Sequence, residues 1–129
     1  AQKEDIDALG LTKLVYNMNI LSQNAALAAM DYADEILAHN IPPTLAARQH
    51  FMDALKDVPN LTVYPSATNF VLVRVPDGPA MVKALHDADI CVRSYKAADL
   101  KNCLRITITT DDVVRRVVAV MTEEAKKYA

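Results

Sequence analysis

The sequence predicts an α+β fold, a two-layer sandwich in which one sheet of three or four mainly antiparallel strands carries helices on one face. Apolar residues recur at helical spacing in four stretches, at residues 22–39, 44–58, 77–89 and 110–128. Short, nearly continuous apolar runs, typical of strands, occupy residues 61–65, 68–76, 90–94 and 103–109. The predicted order is therefore helix, helix, strand, strand, helix, strand, strand, helix.

Caps and breakers predict where the helices begin and end. Ser22 is expected to cap the first helix and Asp77 the third, because short polar side chains satisfy the free amides of a first turn. Pro42 and Pro43 remove two amide donors, and Pro43 disfavours helical angles at Pro42. A break or a sharp kink is expected there. Residues 15–19 are expected to be extended or to form a turn.

Composition excludes several classes of function. The 129 residues, 52% of them hydrophobic, suffice for one domain with a single core. The net charge is −2 and the basic residues are scattered, so binding to nucleic acid is not predicted. No apolar run approaches the roughly 20 residues that span a bilayer, so a membrane partner is not predicted either. Cys91 and Cys103 do not make a disulfide framework, which favours a cytoplasmic location.

The motifs of complete metal or cofactor enzymes are also missing. The three histidines stand far apart and lack metal-ligand spacing, so no metal site is predicted. The chain has two glycines, whereas sites that cradle phosphates or dinucleotides usually need several for close backbone approach. The residues alone therefore do not predict a complete cofactor enzyme.

Two arginines, Arg93 and Arg105, lie inside short apolar strand runs, where an unpaired charge is costly to bury. Because side chains alternate along a strand, Leu104, Ile106 and Ile108 should face the helices, and Arg105 should project from the uncovered face. The same alternation sets Arg93 opposite the apolar residues of its own strand. Both arginines are thus expected on the open side of the sheet.

A third polar residue is predicted to join them. Phe70 and Leu72 are expected to point inward, which places Asn69 outward. Two guanidinium groups with an amide nearby form an anion receptor, because the planar fork of arginine matches a carboxylate or phosphate with two hydrogen bonds. The alternative is that each arginine pairs with a surface acid, such as Asp99 or Asp111, and only keeps an exposed face soluble.

Three segments carry four motifs of a known family: a proline-serine turn, an Asn-Phe strand start, a VR strand and an LRIT strand, in this order. The segments VYPSATNFVLVRV, LHDADICVRS and CLRITITT, the last followed by an acidic helix start, resemble the carboxy-terminal part of histidinol-phosphate aminotransferases. These are fold-type I enzymes that use pyridoxal phosphate (PLP). Upstream, YNMNILSQNAALAAM and ARQHFMDAL are also similar to the family. The resemblance covers nearly the whole chain and is most specific over residues 63–112.

The resemblance implies a homodimeric enzyme with a large PLP-binding domain and a small domain that closes over the substrate. Residues 1–20 would lead from the absent large domain, and residues 21–129 would form the small one. The implied reaction moves an amino group between histidinol phosphate and 2-oxoglutarate. Arg105 would grip the carboxylate of glutamate or 2-oxoglutarate and the phosphate of the other substrate, Arg93 would be a second anion contact, and Asn69 a supporting residue.

The sequence departs from the family pattern in ways that limit what this chain does. The cofactor lysine of the family, and the aspartate that pairs with the pyridine nitrogen, lie upstream of this chain. Lys96 and Lys101 stand in a loop, and nothing in the sequence marks either as the desolvated amine that a Schiff base needs. The chain by itself is therefore expected to be inactive and to bind no PLP. Thr109 stands where the family usually has a glycine.

Two other interpretations stay open. One is a free-standing, non-catalytic α+β module whose arginine face recognises an anionic metabolite or partner. The other, within the PLP enzymes, is the small domain of a threonine-phosphate decarboxylase, since those enzymes share much of the pattern. The coding sequence upstream distinguishes the module from an enzyme fragment, and product analysis distinguishes the two enzymes.

Overall fold

The computed structural model describes residues 2–13 and 18–129. They divide into two compact units, one up to Ala38 and one from His39 to Ala129. The first unit contains helix α1 (Lys3–Thr12), helix α2 (Ile20–Asp31) and the start of helix α3 (Ala33–Leu55). Neither α1, which was not predicted, nor α2 contains a buried residue.

Helix α2 begins before the predicted position because Asn19, and not Ser22, is its cap. The side-chain oxygen of Asn19 accepts a hydrogen bond from the backbone N–H of Ser22 at 2.9 Å. The prediction for Ser22 is therefore wrong, since its amide lies inside the first turn. Residues 15–17 of the segment predicted as extended or a turn fall outside the described residues.

Helix α3 continues through Pro42 and Pro43, so the predicted break there is wrong. The fixed φ of proline, about −65°, is close to the helical value, and two prolines can remain helical although each lacks an amide donor. Thr44, directly after them, donates its hydroxyl to the carbonyl oxygen of Asn40 at 2.8 Å. This bond adds a connection across the turn that the prolines weaken.

The second unit contains a four-stranded antiparallel sheet, which confirms the predicted fold class. Its strands are β1 (Thr62–Val63), β2 (Phe70–Arg74), β3 (Arg93–Ser94) and β4 (Cys103–Thr107). Their spatial order is β1, β2, β4, β3, and every neighbouring pair is antiparallel. Strand β4, which carries Arg105, therefore lies between β2 and β3.

Helices α4 (Gly78–Asp87) and α5 (Asp111–Ala125) follow β2 and β4 along the chain. The Asp77 side chain caps α4 as predicted, because it accepts a hydrogen bond from the Ala80 amide at 3.0 Å. Thr109, before α5, is not among the described residues with positive φ, which are Asn60, Asp89 and Asn102. The turn into α5 therefore does not need a glycine at Thr109.

One face of the sheet and the three helices of this unit share a single core. Its largest fully buried members are Phe51 and Leu55 of α3, Met81 and Leu85 of α4, Val114 and Met121 of α5, and Val71, Val73 and Leu104 of the sheet. Full burial of one such side chain contributes roughly 1.5–3 kcal/mol. The core thus fixes which face of β2 and β4 points to the helices.

The prediction that Phe70 and Leu72 face the core is wrong. Leu72 is paired with Arg105 across β2 and β4, so the two side chains point to the same side of the sheet. Val71 and Val73 take the core positions, and both have 0% of their surface exposed. Phe70 and Leu72 are half-buried on the opposite face.

Candidate anion-binding site

The face of the sheet opposite the helices is called the open face below. Strand pairing and alternation assign to it Thr62 from β1, Phe70, Leu72 and Arg74 from β2, Arg93 from β3, and Cys103, Arg105 and Thr107 from β4. Three of these eight residues are arginines, and none is acidic. The open face is therefore locally cationic in a chain whose net charge is −2.

Arg93 and Arg105 are direct partners in the antiparallel pairing of β3 and β4. Their side chains consequently point to the same side of the sheet, where directly opposed residues have Cβ atoms about 5 Å apart. The predicted convergence of the two arginines on the open face is observed. Two permanent positive charges on directly opposed residues repel each other, and an anion between or beside them would offset that repulsion.

Arg105 is half-buried and lacks a hydrogen-bonding partner at one nitrogen. Its Nε atom is buried and has no acceptor, and it is the only such side-chain atom found among the described residues. The guanidinium carbon lies 5.1 Å from the centroid of the Phe70 ring. A buried donor without an acceptor costs about 1–3 kcal/mol, so the fold keeps Arg105 in an environment that an anionic acceptor would improve.

Arg93 is exposed, and its side chain forms no hydrogen bond or ion pair with the described residues. Neither acid proposed as an alternative partner forms an ion pair with Arg93 or Arg105. Asp111 contacts His50 and Arg115, and its pKa is lowered by the hydrogen bond from His50 and then by that from Arg115. Asp99 offers its backbone oxygen to Arg74 instead. The described residues therefore do not form the alternative arrangement, in which each arginine pairs with a surface acid.

Arg74, the third arginine of the open face, has a structural role that sequence reasoning missed. Its Nε donates to the hydroxyl of Tyr64 at 3.1 Å, and its two terminal nitrogens donate to the carbonyls of Lys101 and Asp99 at 3.1 and 3.2 Å. The bond to Tyr64 raises the pKa of Arg74 above its ordinary value. Arg74 thus ties β2 to the loop before β4, and each of its three side-chain nitrogens already donates one hydrogen bond.

Asn69 lies one residue before β2, and its carbonyl accepts a hydrogen bond from the Ile108 amide at 2.8 Å. Because side chains alternate along the strand, Asn69 has the same orientation as Val71, which faces the core. Leu72, which is paired with Arg105, has the opposite orientation. Asn69 was predicted to lie beside the arginines because Phe70 was expected to face the core, and Phe70 instead lies on the open face. Its backbone extends the pairing of β2 with β4, and a contact of its side chain with an anion stays a prediction.

The lysines of this chain do not fit a covalent PLP site. Lys96 and Lys101, next to β3 and β4, are both exposed, and so is every other lysine of the chain. An amine that forms a Schiff base at neutral pH needs desolvation or a cationic neighbour to lower its pKa. These residues therefore give no basis for assigning a cofactor lysine.

Metal-binding clusters and membrane-spanning helices are both absent from the described part of the chain. No group of three or more histidine, cysteine, aspartate or glutamate side chains there could hold a metal ion. None of the described helices combines the length and the apolar character that crossing a membrane demands.

Comparisons with known proteins give a consistent family. No family model matches the chain. Histidinol-phosphate aminotransferase of Ruminiclostridium cellulolyticum is 35% identical over 106 residues, which cover 81% of this chain and 29% of that protein. The chain spans less than a third of the length of the curated relatives it matches.

Solved structures give the same result. Histidinol-phosphate aminotransferase from Sinorhizobium meliloti, solved in complex with pyridoxal-5'-phosphate, superposes with a TM-score of 0.63 at 31% identity and matches 81% of this chain and 29% of its own. L-threonine-O-3-phosphate decarboxylase from Porphyromonas gingivalis superposes with a TM-score of 0.69 over 95% of this chain and 39% of its own, and at 19% identity it shows the fold alone. The chain belongs to the histidinol-phosphate aminotransferase family of PLP-dependent enzymes, and it covers less than half the length of the members it matches.

Proposed function

We propose that residues 21–129 are the small, substrate-closing domain at the carboxy terminus of a PLP-dependent aminotransferase, and that residues 1–20 lead from its large domain. The proposed substrates are histidinol phosphate and 2-oxoglutarate. The share of this chain is to hold the anionic end of the substrate through Arg105 and Arg93. The observation that carries the proposal is the buried, unpartnered Nε of Arg105 directly opposite the unpaired Arg93.

The chemistry of both substrates fits a pair of arginines that are not already paired with a carboxylate. A guanidinium donates two parallel hydrogen bonds to a carboxylate or to a phosphate, so one receptor can accept either group. Histidinol phosphate offers a phosphate, and 2-oxoglutarate offers carboxylates. Fixing the anionic end orients the rest of the molecule, and orientation of this kind contributes much of the rate in enzymes.

The large domain would supply the PLP and its lysine, since the lysines of this chain do not fit that role. PLP, when bound there, supplies the electron sink for amino-group transfer. We propose that this chain alone is inactive and binds no PLP. We also propose that the whole enzyme is a cytoplasmic homodimer, like the family that the sequence resembles.

Exposed apolar side chains in the first unit support the proposal that a large domain packs against it. Large apolar side chains in α1 and α2 are strongly exposed, among them Leu11 at 90%, Leu21 at 78% and Met30 at 71%. Exposed apolar clusters on soluble proteins commonly mark contact surfaces. Because the matched relatives are more than three times as long as the matched region, the proposed occupant of this surface is the large domain of the same polypeptide.

Anion binding by this chain tests the proposal. Inorganic phosphate and 2-oxoglutarate are titrated calorimetrically into this chain without substitutions, called the parent protein, and into its variants Arg105→Gln, Arg93→Gln and Arg115→Gln. Arg105→Gln should weaken both affinities at least about tenfold, because it removes a charged hydrogen-bonding pair. Arg93→Gln should weaken them less. Arg115→Gln, which changes the net charge equally but lies on α5, should leave them nearly unchanged. Equal affinities in all four proteins would refute the proposed site.

Kinetics of the full-length enzyme test the proposed reaction. Arg105→Ala should lower kcat/KM for both substrates by at least about 100-fold, which corresponds to roughly 3 kcal/mol of transition-state stabilisation. A full-length variant with kinetics close to those of the parent would contradict the role of Arg105 as a substrate contact.

Two other functions remain as outcomes of these tests. The fold shared with the threonine-phosphate decarboxylase favours a decarboxylase as the second candidate. Product analysis separates the two enzymes, because a decarboxylase releases carbon dioxide from threonine phosphate and an aminotransferase forms glutamate from 2-oxoglutarate. A non-catalytic anion-binding module would bind phosphate as predicted, and its gene would start directly before Ala1 without a large domain.

A further inference from the structure

The ring of Phe70 lies against the guanidinium of Arg105 because of the strand register. Phe70 opposes Thr107 in the pairing of β2 with β4, so it is the diagonal neighbour of Arg105 on the open face. Diagonal neighbours lie within reach of aromatic and long side chains. The distance of 5.1 Å from Cζ to the ring centroid is within the range in which the ring quadrupole attracts a cation.

We propose that Phe70 is a positioning residue for Arg105, whose ring holds the guanidinium in place while leaving its N–H donors free for a phosphate or carboxylate. This inference rests on the anion-binding function proposed above. It assigns to Phe70 a role in affinity that does not require contact with the anion itself.

The chemistry of the contact explains why a ring serves here. Arg105 faces the like charge of Arg93, and no acceptor holds its Nε. A carboxylate could hold the guanidinium, but it would occupy the donors and cancel the charge that the ligand needs. An aromatic face attracts the cation without accepting those hydrogen bonds. Arg74 differs from Arg105 in this respect, because its guanidinium is held by hydrogen bonds to Tyr64 and to backbone carbonyls.

Phe70 itself is firmly anchored by the turn before β2. Its carbonyl accepts hydrogen bonds from the hydroxyls of Ser66 and Thr68 at 2.5 and 3.2 Å, and its amide donates to the Thr68 hydroxyl at 3.3 Å. Arg48 of α3 donates to the Thr68 carbonyl at 2.8 Å. The ring therefore sits on a backbone that is tied both to its own turn and to the helix layer.

A double-mutant cycle between Phe70 and Arg105 tests this coupling. Phosphate and 2-oxoglutarate are titrated into the parent protein, Phe70→Leu, Phe70→Tyr, Arg105→Gln and the double variant of Phe70→Leu with Arg105→Gln. Phe70→Leu should weaken both affinities roughly three- to tenfold, because it keeps an apolar side chain but loses the ring. Phe70→Tyr, which keeps the ring, should bind both anions about as tightly as the parent does. In the Arg105→Gln background, Phe70→Leu should have no further effect.

A stability control separates positioning from loosened folding. Val120→Ala removes part of a half-buried side chain of α5 that packs on the core, and it should lower stability without changing either affinity. The inference is overturned if Val120→Ala weakens binding as much as Phe70→Leu does, or if Phe70→Leu binds as tightly as the parent while Arg105→Gln binds weakly. If Arg105→Gln also binds as tightly as the parent, the proposed anion site and this inference both fail.

Discussion

Arg93 and Arg105 oppose each other directly across β3 and β4, and neither forms an ion pair with a carboxylate in the described part of the chain. Like charges opposed in a sheet destabilise it, so this arrangement is unfavourable for folding alone. An anion between or beside the two guanidinium groups converts the repulsion into attraction. The anion-binding role that we propose for the pair would offset this cost.

Removal of one of these charges should stabilise the unliganded protein. Arg93→Gln is expected to raise the free energy of unfolding by about 0.5 kcal/mol at low ionic strength, and the gain should shrink as salt screens the repulsion. Urea unfolding at two salt concentrations measures it. Arg115→Gln is the matched control, because it loses an ion pair with Asp111 and should not stabilise the protein. A loss of stability in Arg93→Gln at low salt would contradict the repulsion.

Asn102 should be a major determinant of the loop before β4. It has a positive φ of 61°, its side-chain amide donates to the Pro76 carbonyl at 3.0 Å, and its side-chain oxygen accepts from the Gly78 amide at 3.1 Å. Asn102→Ala should therefore destabilise the protein by about 2–4 kcal/mol, from two lost hydrogen bonds and the cost of left-handed angles. Asn102→Gly should cost about 1 kcal/mol less, because glycine adopts these angles freely.

Chemical denaturation of both Asn102 variants tests this account. Asn60 provides the comparison, since it has a φ of 66° and a single side-chain hydrogen bond, to the carbonyl of Tyr128. Asn60→Ala should lose less stability than Asn102→Ala. The account of the loop is wrong if Asn102→Ala is as stable as the parent, or more stable than Asn102→Gly.

The contact between α3 and the start of α5 should make stability depend on acid pH. The pKa of Asp111 lies below its ordinary value of 3.8, first because of the hydrogen bond from His50 and then because of that from Arg115. A carboxylate with a lowered pKa contributes stability above its unfolded pKa, and this contribution is lost as the pH falls through the folded pKa. Asp111→Asn should therefore be less stable than the parent at pH 7, and the difference should disappear well below about pH 4.

Urea unfolding of the parent and Asp111→Asn across this pH range measures the linkage. Asp57→Asn serves as the control, because Asp57 is exposed and its side chain forms no hydrogen bond or ion pair with the described residues. Its stability should differ little from that of the parent throughout. A difference between parent and Asp111→Asn that grows as the pH falls below 4 would contradict the direction of the pKa shift.

The arginine face could be predicted because β4 alternates clearly between apolar and polar residues. Leu104, Ile106 and Ile108 are buried, and Arg105 between them takes the other face, as the pattern indicated. The run FVLV of β2 has no such alternation, so sequence alone could not assign its faces. Pairing with β4 decides them, because Val71 and Val73 oppose the buried residues of that strand.

Other features depended on contacts that the sequence does not encode locally. Pro42 and Pro43 suggested a break in α3, but the helix continues through both, since the fixed φ of proline is close to the helical value. Arg74 lies on the same face as Arg105, and only the distances to Tyr64 and to two carbonyls show that each of its nitrogens already donates a hydrogen bond within the fold. The contact of Phe70 with Arg105 likewise follows from the register and not from either segment alone.

The Nε–Hε resonances of the arginine side chains, recorded by NMR during addition of inorganic phosphate, test the central claim most directly. The Arg105→Gln variant assigns the Arg105 signal, and Arg74, whose Nε already donates to Tyr64, is the internal reference. The account predicts that the Arg105 signal shifts and saturates with phosphate while the Arg74 signal stays in place. An Arg105 signal that does not move at phosphate concentrations that shift other signals of the protein would contradict it.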